Sequence, residues 1–251
     1  MSDGRNLICT FDGSFDGFLS VVHYTVKNRC RPIKVCSEDM VQMEMNTEVL
    51  FVPTEMHNAE RVRNSAMEIM GYEGFKRAYS VFLNSNKDSA TVSYLYLLYG
   101  FKYGKKTHHY LSVPDINNAY KLERQVAYEV DRIKGFLRFS VMEGGVEYAP
   151  MEPEHDILAL IMPHFADRIK TIPFVIHDLL RQKAGVYAKG RWMIVDAEGL
   201  VVPKVAEDEK KYRDLWKKFY DAICIREREN LKLQTQMMPK KYRKHITEFQ
   251  L

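Results

Sequence analysis

A chain of 251 residues with 46% hydrophobic and 28% charged side chains has the make-up of a folded globular protein, long enough for one large domain or two small ones. No apolar run approaches the roughly 20 residues that cross a bilayer, and the start lacks the basic, apolar and small-residue succession of a secretory signal, so the expected location is the cytoplasm. The net charge of +4 is mild, and its meaning depends on where the basic residues cluster.

Residues 7–11 predict a short strand, Asp12-Gly13 a turn, and Ser14 the cap of a helix running through Phe18, Leu19, Val22 and Val26. A glycine turn at a helix start can hold an anion, or can simply be a well-capped helix. Asp12 and Asp16 beside Phe11, Phe15 and Phe18 fit a carboxylate near an aromatic pocket, and Asp16 equally fits a first-turn helix acid. Residues 32–56 are less periodic, with a short strand over 48–52 and a helix opening at Thr54. The pattern is then helical to Gly104, over 58–70, 72–83 and 88–101, with glycines at the joints. Cys9, Cys30, Cys36 and Cys224 form no Cys-x-x-Cys pair, and buried thiols are the expectation.

Lys102-Tyr-Gly-Lys105-Lys106-Thr-His-His-Tyr is a basic, aromatic loop. Pro114 and Asp115 start a helix to about Lys134, with Ile116, Ala119, Val126, Val130 and Ile133 as its apolar stripe. Lys121, Arg124, Tyr128 and Arg132 occupy its other side, either as a solvated charged face or as a phosphate contact.

Between Phe136 and Asp178, two strand-like runs flank Gly144-Gly145, which reads as a hairpin. Pro153 with acids around it reads as a helix start. Ile157, Ile161, Phe165 and Ile169 mark its buried face, and Pro163 predicts a kink or short break. A second hairpin covers Ala184–Val195 with Lys189-Gly190 at its turn. Glu207-Asp208-Glu209 opens a last long helix whose Tyr212, Leu215, Trp216, Phe219 and Ile223 are expected to face inward. The tail that follows, with Lys240, Lys241, Arg243 and Lys244 around Tyr242, has a composition suited to sugar–phosphate backbones.

The expected fold class is α+β. It comprises a helical N-terminal half (1–134), a small antiparallel sheet with a covering helix, and a C-terminal long helix with a basic tail (135–251); no linker separates the halves, so they are expected either as two regions or as one packed unit.

His164 with Asp167 at helical spacing, and His177 with Asp178 at a strand end, are candidate acid–base pairs in which the carboxylate orients the ring. The alternative is that Asp167 and Arg168 form helix-end ion pairs and the histidines only pack. His155, His164, His177 and Asp178 show no recognised metal spacing, so no metal is expected. No Gly-x-Ser-x-Gly elbow is present, and covalent catalysis has no support.

Laid out in order, several short pieces resemble a bacterial family, DUF4130, whose members are described as probable DNA metabolism or putative DNA repair proteins. The matching pieces include Phe11-Asp-Gly-Ser-Phe-Asp-Gly-Phe-Leu, Gly100-Phe-Lys-Tyr-Gly-Lys, Lys134-Gly-Phe-Leu-Arg-Phe and Glu152-Pro-Glu-His-Asp. Pro163-His-Phe-Ala-Asp-Arg, Ile176-His-Asp, Leu215-Trp-Lys, Arg228-Glu-Asn and Met238-Pro-Lys-Lys-Tyr continue the series. The resemblance implies a role in repair or modification of DNA, beside a radical-SAM protein related to spore photoproduct lyase or fused to a uracil-DNA-glycosylase-like domain. It carries no catalytic mechanism. Because the chain has no three-cysteine cluster motif, any iron–sulfur chemistry would belong to the partner, and no cofactor is expected here.

Three functional expectations follow. In the first, the protein is a DNA-binding accessory of the radical-SAM enzyme, with Lys102, Lys105, Lys106, Lys121, Arg124, Arg132, Arg138, Arg168, Lys240, Lys241, Arg243 and Lys244 converging on phosphates. In the second, it is a glycosylase- or hydrolase-like enzyme using His164, Asp167, His177 or Asp178. In the third, it is a scaffold whose tail docks the partner protein.

Overall fold

The computed structural model describes residues 6–41, 46–223, 225 and 230–249, apart from the side chains of 210, 220 and 221. Cys224 and the Arg228-Glu-Asn piece, save Asn230, lie outside the described residues. The class is α+β, with one parallel and one mixed sheet. The chain forms two compact units that divide between Ala127 and Tyr128.

The first unit begins with strand β1 (Asn6–Phe11) and helix α1 (Phe15–Asn28). Ser14 caps α1 by accepting from Gly17 N, as its position after the Asp-Gly turn predicts. Strands β2 (Lys34–Ser37) and β3 (Thr47–Phe51) both pair parallel with β1, giving the order β2-β1-β3. β2 escapes a pattern search because it is only four residues long. Its Val35 and Cys36 are buried side by side, without the alternation of a half-exposed strand.

Helix α2 (Met56–Phe82) is interrupted at Gly71, whose φ of 77° only glycine adopts readily, so two helical runs meet at the glycine the sequence marks. Thr54 does not open it. Its hydroxyl is engaged by Asp12 instead. Helix α3 (Ser89–Tyr103) follows, then a 3-10 turn over Gly104–His109. Helix α4 (Pro114–Phe136) contains the division between the units. Its apolar stripe is buried as predicted, with Ile116, Ala119 and Val126 fully inside. The first unit's core gathers Phe11, Phe18, Leu19, Tyr96 and Leu97.

The second unit is built on five strands in the order β4-β5-β6-β7-β8. They are β4 (Ser140–Val141), β5 (Glu147–Met151), β6 (Phe174–Asp178), β7 (Lys183–Ala188) and β8 (Arg191–Asp196). Both hairpins form. At the second, Lys189 (φ 49°) and Gly190 (φ 78°) make the two-residue left-handed turn that matches strand twist. The sheet is mixed rather than antiparallel, because β5 and β6 run parallel. The connection between them contains helix α5 (Leu158–Arg168), and a crossover of that kind permits parallel pairing.

α5 starts at Leu158, not at Pro153. The backbone groups a first turn would leave free are already bound: Glu154 N and His155 N donate to the Glu129 carboxylate at 2.9 and 2.7 Å, while the Pro153 and Glu154 carbonyls accept from Arg181. The helix also continues through Pro163 without a break. That proline lies on the exposed side, so losing one backbone bond does not disturb the buried Leu158, Ile161, Met162 and Phe165.

The last long helix, α6 (Glu207–Ile223), departs furthest from expectation. Tyr212, Leu215, Trp216, Phe219 and Ile223 are 44–67% exposed rather than inward-facing. A stripe at helical spacing shows that a helix has an apolar face, not that its own chain covers that face. A short helix α7 (Leu231–Met237) precedes the tail, which forms 3-10 turns over Lys240–His245 and Thr247–Phe249. Among the described residues no helix is long and apolar enough to cross a membrane.

Candidate functional site

In the first unit, the Asp-Gly-Ser turn is a fastening. Asp12 Oδ1 accepts from Ser14 N (2.9 Å) and Ser14 Oγ (2.6 Å), and Oδ2 from Thr54 Oγ1 (2.7 Å). Partial burial pushes the carboxyl up, but these bonds outweigh it and hold the group below the usual carboxylate value. Asp16 pairs with Arg63. Phe11 and Phe18 are buried in the core, so the phenylalanines beside these acids form packing rather than an open aromatic pocket. Lys102, Lys105 and Lys106 are exposed on the turn after α3, where Tyr103 stacks on both Tyr99 and Tyr110. Lys121 and Arg124 are exposed on the first-unit part of α4, and Arg132 on the part that belongs to the second unit.

The four histidine and aspartate candidates, all in the second unit, do not form the pairs their spacing suggests. Neighbouring strand residues point to opposite faces, and this separates His177 from Asp178. Asp178 is fully buried and accepts from Leu180 N, Arg181 N and Arg181 Nη1 at 3.1–3.2 Å. Burial raises its pKa despite the arginine. His177 lies within 2.9 Å of the Tyr148 hydroxyl through Nδ1, while its buried Nε2 has no hydrogen-bond partner among the described residues. Burial lowers the pKa of this ring and raises that of Tyr148. His164 is exposed, edge-on to Phe165, and Asp167 pairs with Lys170 at 3.1 Å. Among the described residues no group of three or more His, Cys, Asp or Glu side chains is arranged to hold a metal ion.

Much of the tail's charge is used internally. Lys241 meets Glu154 at 2.5 Å, Lys244 and His245 meet Glu152, and Arg243 lies over the Phe249 ring. Tyr242 is buried, its hydroxyl donating to Glu129 Oε1 at 2.6 Å, and burial plus that carboxylate push its pKa up to about 12. The Glu-Pro-Glu-His and Pro-Lys-Lys-Tyr pieces are therefore two sides of one contact centred on buried Glu129. The tail is a packed segment, and among the described residues only Lys240 of its four cations is exposed with no partner.

The feature that single-residue reasoning missed is an open groove of about 1100 Å³ in the second unit. Five cations line it: Lys134, Arg138, Arg168, Lys170 and Arg213. Phe139 and Phe165 supply apolar wall, and Tyr212, Trp216 and Phe219 of α6 form an exposed aromatic side. Arg138 is held by Glu248 at 2.9 Å. Glu209 accepts from Arg213 and from Val141 N, which ties α6 to β4. Glu147 also lines the groove, where burial and the neighbouring Glu209 raise its pKa. Asp12 and Asp16, by contrast, are engaged by Ser14, Thr54 and Arg63. The available signal was the α6 stripe, together with Arg138 and Arg168 among the basic candidates.

Compared with curated proteins, the chain has no match. A family model described as a domain of unknown function, DUF4130, matches residues 87–248. That span takes in the pieces from Gly100 to Met238-Pro-Lys-Lys-Tyr and leaves Phe11–Leu19 outside it. Since it covers well over half of the sequence, the chain belongs to the DUF4130 family.

Proposed function

We propose that this protein binds DNA as an accessory in DNA repair or modification, beside a radical-SAM enzyme. The observation that carries the DNA part is the groove of the second unit, lined by five cationic side chains of which Arg168 has no ion pair among the described residues and Lys134 and Lys170 have only water-exposed partners, against the two lining acids Glu147 and Glu209. Such an excess next to exposed aromatic rings suits a phosphate backbone with its bases. The exposed Lys102, Lys105 and Lys106 of the first unit are further phosphate contacts under this reading. The radical-SAM partner rests on the family resemblance alone.

Binding tested across a salt series checks the proposal. Each phosphate contact contributes a slope of about −0.7 to −0.9 in log K against log salt. Arg168→Glu with Lys170→Glu is expected to flatten the slope by about 1.5. Absence of any DNA affinity at low salt would refute it. Co-purification with the radical-SAM enzyme in the presence of lesion-containing DNA tests the partner.

A second reading, a DNA-processing enzyme, is favoured by the Tyr148–His177 contact, a hydroxyl and an imidazole within proton-transfer distance, and the buried Nε2 beyond it. Conversion of a lesion-bearing oligonucleotide by the isolated protein, lost in Tyr148→Phe and His177→Ala, is its expected result. Conversion that survives both substitutions removes this assignment.

A further inference from the structure

We infer that the groove of the second unit receives an unstacked base of single-stranded DNA, laid against Trp216 and Phe219, with neighbouring phosphates meeting the lining cations. The inference rests on the DNA-binding reading above and names the form of nucleic acid the groove takes.

The aromatic side comes first. Tyr212, Trp216 and Phe219 fall four and three apart on α6, and so share a face. Trp216 and Phe219 have ring centroids 5.8 Å apart at 36°, with 44% and 52% of each residue exposed. Trp216 stands beside Phe219 on one face of a helix that Glu209 ties to the sheet through Val141 N. A tryptophan ring face open to solvent is a stacking platform. In a duplex the base faces are already occupied by neighbouring bases, so only an unpaired or extruded base can use it.

Charge then selects among occupants. Of the five lining cations, Arg138 and Arg213 are committed to Glu248 and Glu209. Among the described residues Lys170 and Lys134 pair only with Asp167 and Asp131, which are 82% and 77% exposed, and pairs so open to water are easily exchanged for phosphate. Arg168 is exposed and makes no ion pair among the described residues. An apolar peptide would match the α6 stripe but would leave Arg168 without a counter-charge and Lys134 and Lys170 with only their water-exposed partners. A single strand supplies ring faces and phosphates together. The volume of about 1100 Å³ exceeds what one small ligand needs and suits a nucleotide with adjoining backbone.

The test uses the full-length chain carrying Trp192→Phe, which leaves Trp216 as the only one of two tryptophans. A thymidine oligonucleotide of about ten residues, within the usual range of single-strand sites, is expected to quench Trp216 fluorescence saturably. Labelled oligonucleotide anisotropy then reads the variants: Trp216→Ala is expected to bind about tenfold or more weakly, and Trp216→Phe to restore most of the loss. An abasic oligomer of equal length should bind weakly without quenching. Far-ultraviolet circular dichroism shows whether the alanine variant is folded, and Phe219→Ala gives a second reading of the same face. Equal binding of the abasic and thymidine oligomers, an intact duplex competing as well as the single strand, or preferential binding of the matching RNA overturns the inference alone. No binding of any oligonucleotide overturns both it and the DNA-binding reading.

Discussion

Removing the Tyr242 hydroxyl tests whether the basic tail is a packed element of the second unit. Tyr242 O–H donates at 2.6 Å to Glu129, a buried carboxylate that also accepts from Glu154 N and His155 N. A hydrogen bond to a charged group contributes roughly 1.5–3 kcal/mol, and losing it here leaves a buried charge short of one donor. Tyr242→Phe keeps the ring in its pocket, so about 2 kcal/mol is the expected loss. With a urea dependence of about 2 kcal/mol per molar, the unfolding midpoint should fall by about 1 M. Trp192 and Trp216 both belong to the second unit, so tryptophan fluorescence follows that unit's transition. Glu129→Gln places an amide against one of the three donors and should cost at least as much. The double variant should lose less than the sum, because both substitutions dismantle one network. A midpoint for Tyr242→Phe within about 0.2 M of the parent, against the 1 M worked out above, would show that the tail is not anchored through Glu129.

Further outcomes follow from other contacts. A Cβ at Gly17 would lie 2.3 Å from Asp12 Oδ1 and 2.7 Å from Thr54 Oγ1, so Gly17→Ala must break the Asp12 fastening. It should destabilise the first unit by about 1–3 kcal/mol, readable by circular dichroism, and an unchanged melting curve would contradict the geometry. Glu152 and Glu154 have pKa values lowered by hydrogen bonds from Lys244 and Lys241. Their contribution is present above the ordinary carboxylate range and lost as pH falls through the lowered folded values, so protease cleavage of the tail should accelerate on acidification and Lys241→Met should blunt that change. His155 and His177 have folded pKa values lowered by burial. Below about 6.5 the unfolded chain binds more protons than the folded one, so stability should fall as pH drops from there. A urea midpoint that is flat between pH 6.5 and 5 would argue that neither ring is buried in its neutral form.

Local pattern carried much of this fold. Ser14 after Asp12-Gly13, the Ile116–Ile133 stripe and Lys189-Gly190 between two strand runs each contain their whole instruction within a few residues, and each element formed where expected. Where the outcome depended on a distant partner, local reading failed. Pro153 is a sound helix opener by itself, yet Glu129, 24 residues earlier, had already taken the nearby backbone N–H groups. Asp178 stands next to His177 in the chain, but the alternation of β6 separates the two side chains, and Arg181 takes the carboxylate while Tyr148 takes the ring.

The candidate site divides in the same way. The types of residue needed for a groove, a 3.6-residue aromatic stripe and scattered arginines and lysines, were visible in the chain. Which charges would remain available was not, since that depends on the carboxylates brought within reach by folding: Glu152 and Glu154 for the tail, Glu248 for Arg138. From sequence alone came the α+β class, most element positions and the two-faced character of α6. Only the tertiary structure decided that α6 leaves its aromatic face uncovered and that the basic tail is packed, because periodicity is a property of one segment and burial a property of two.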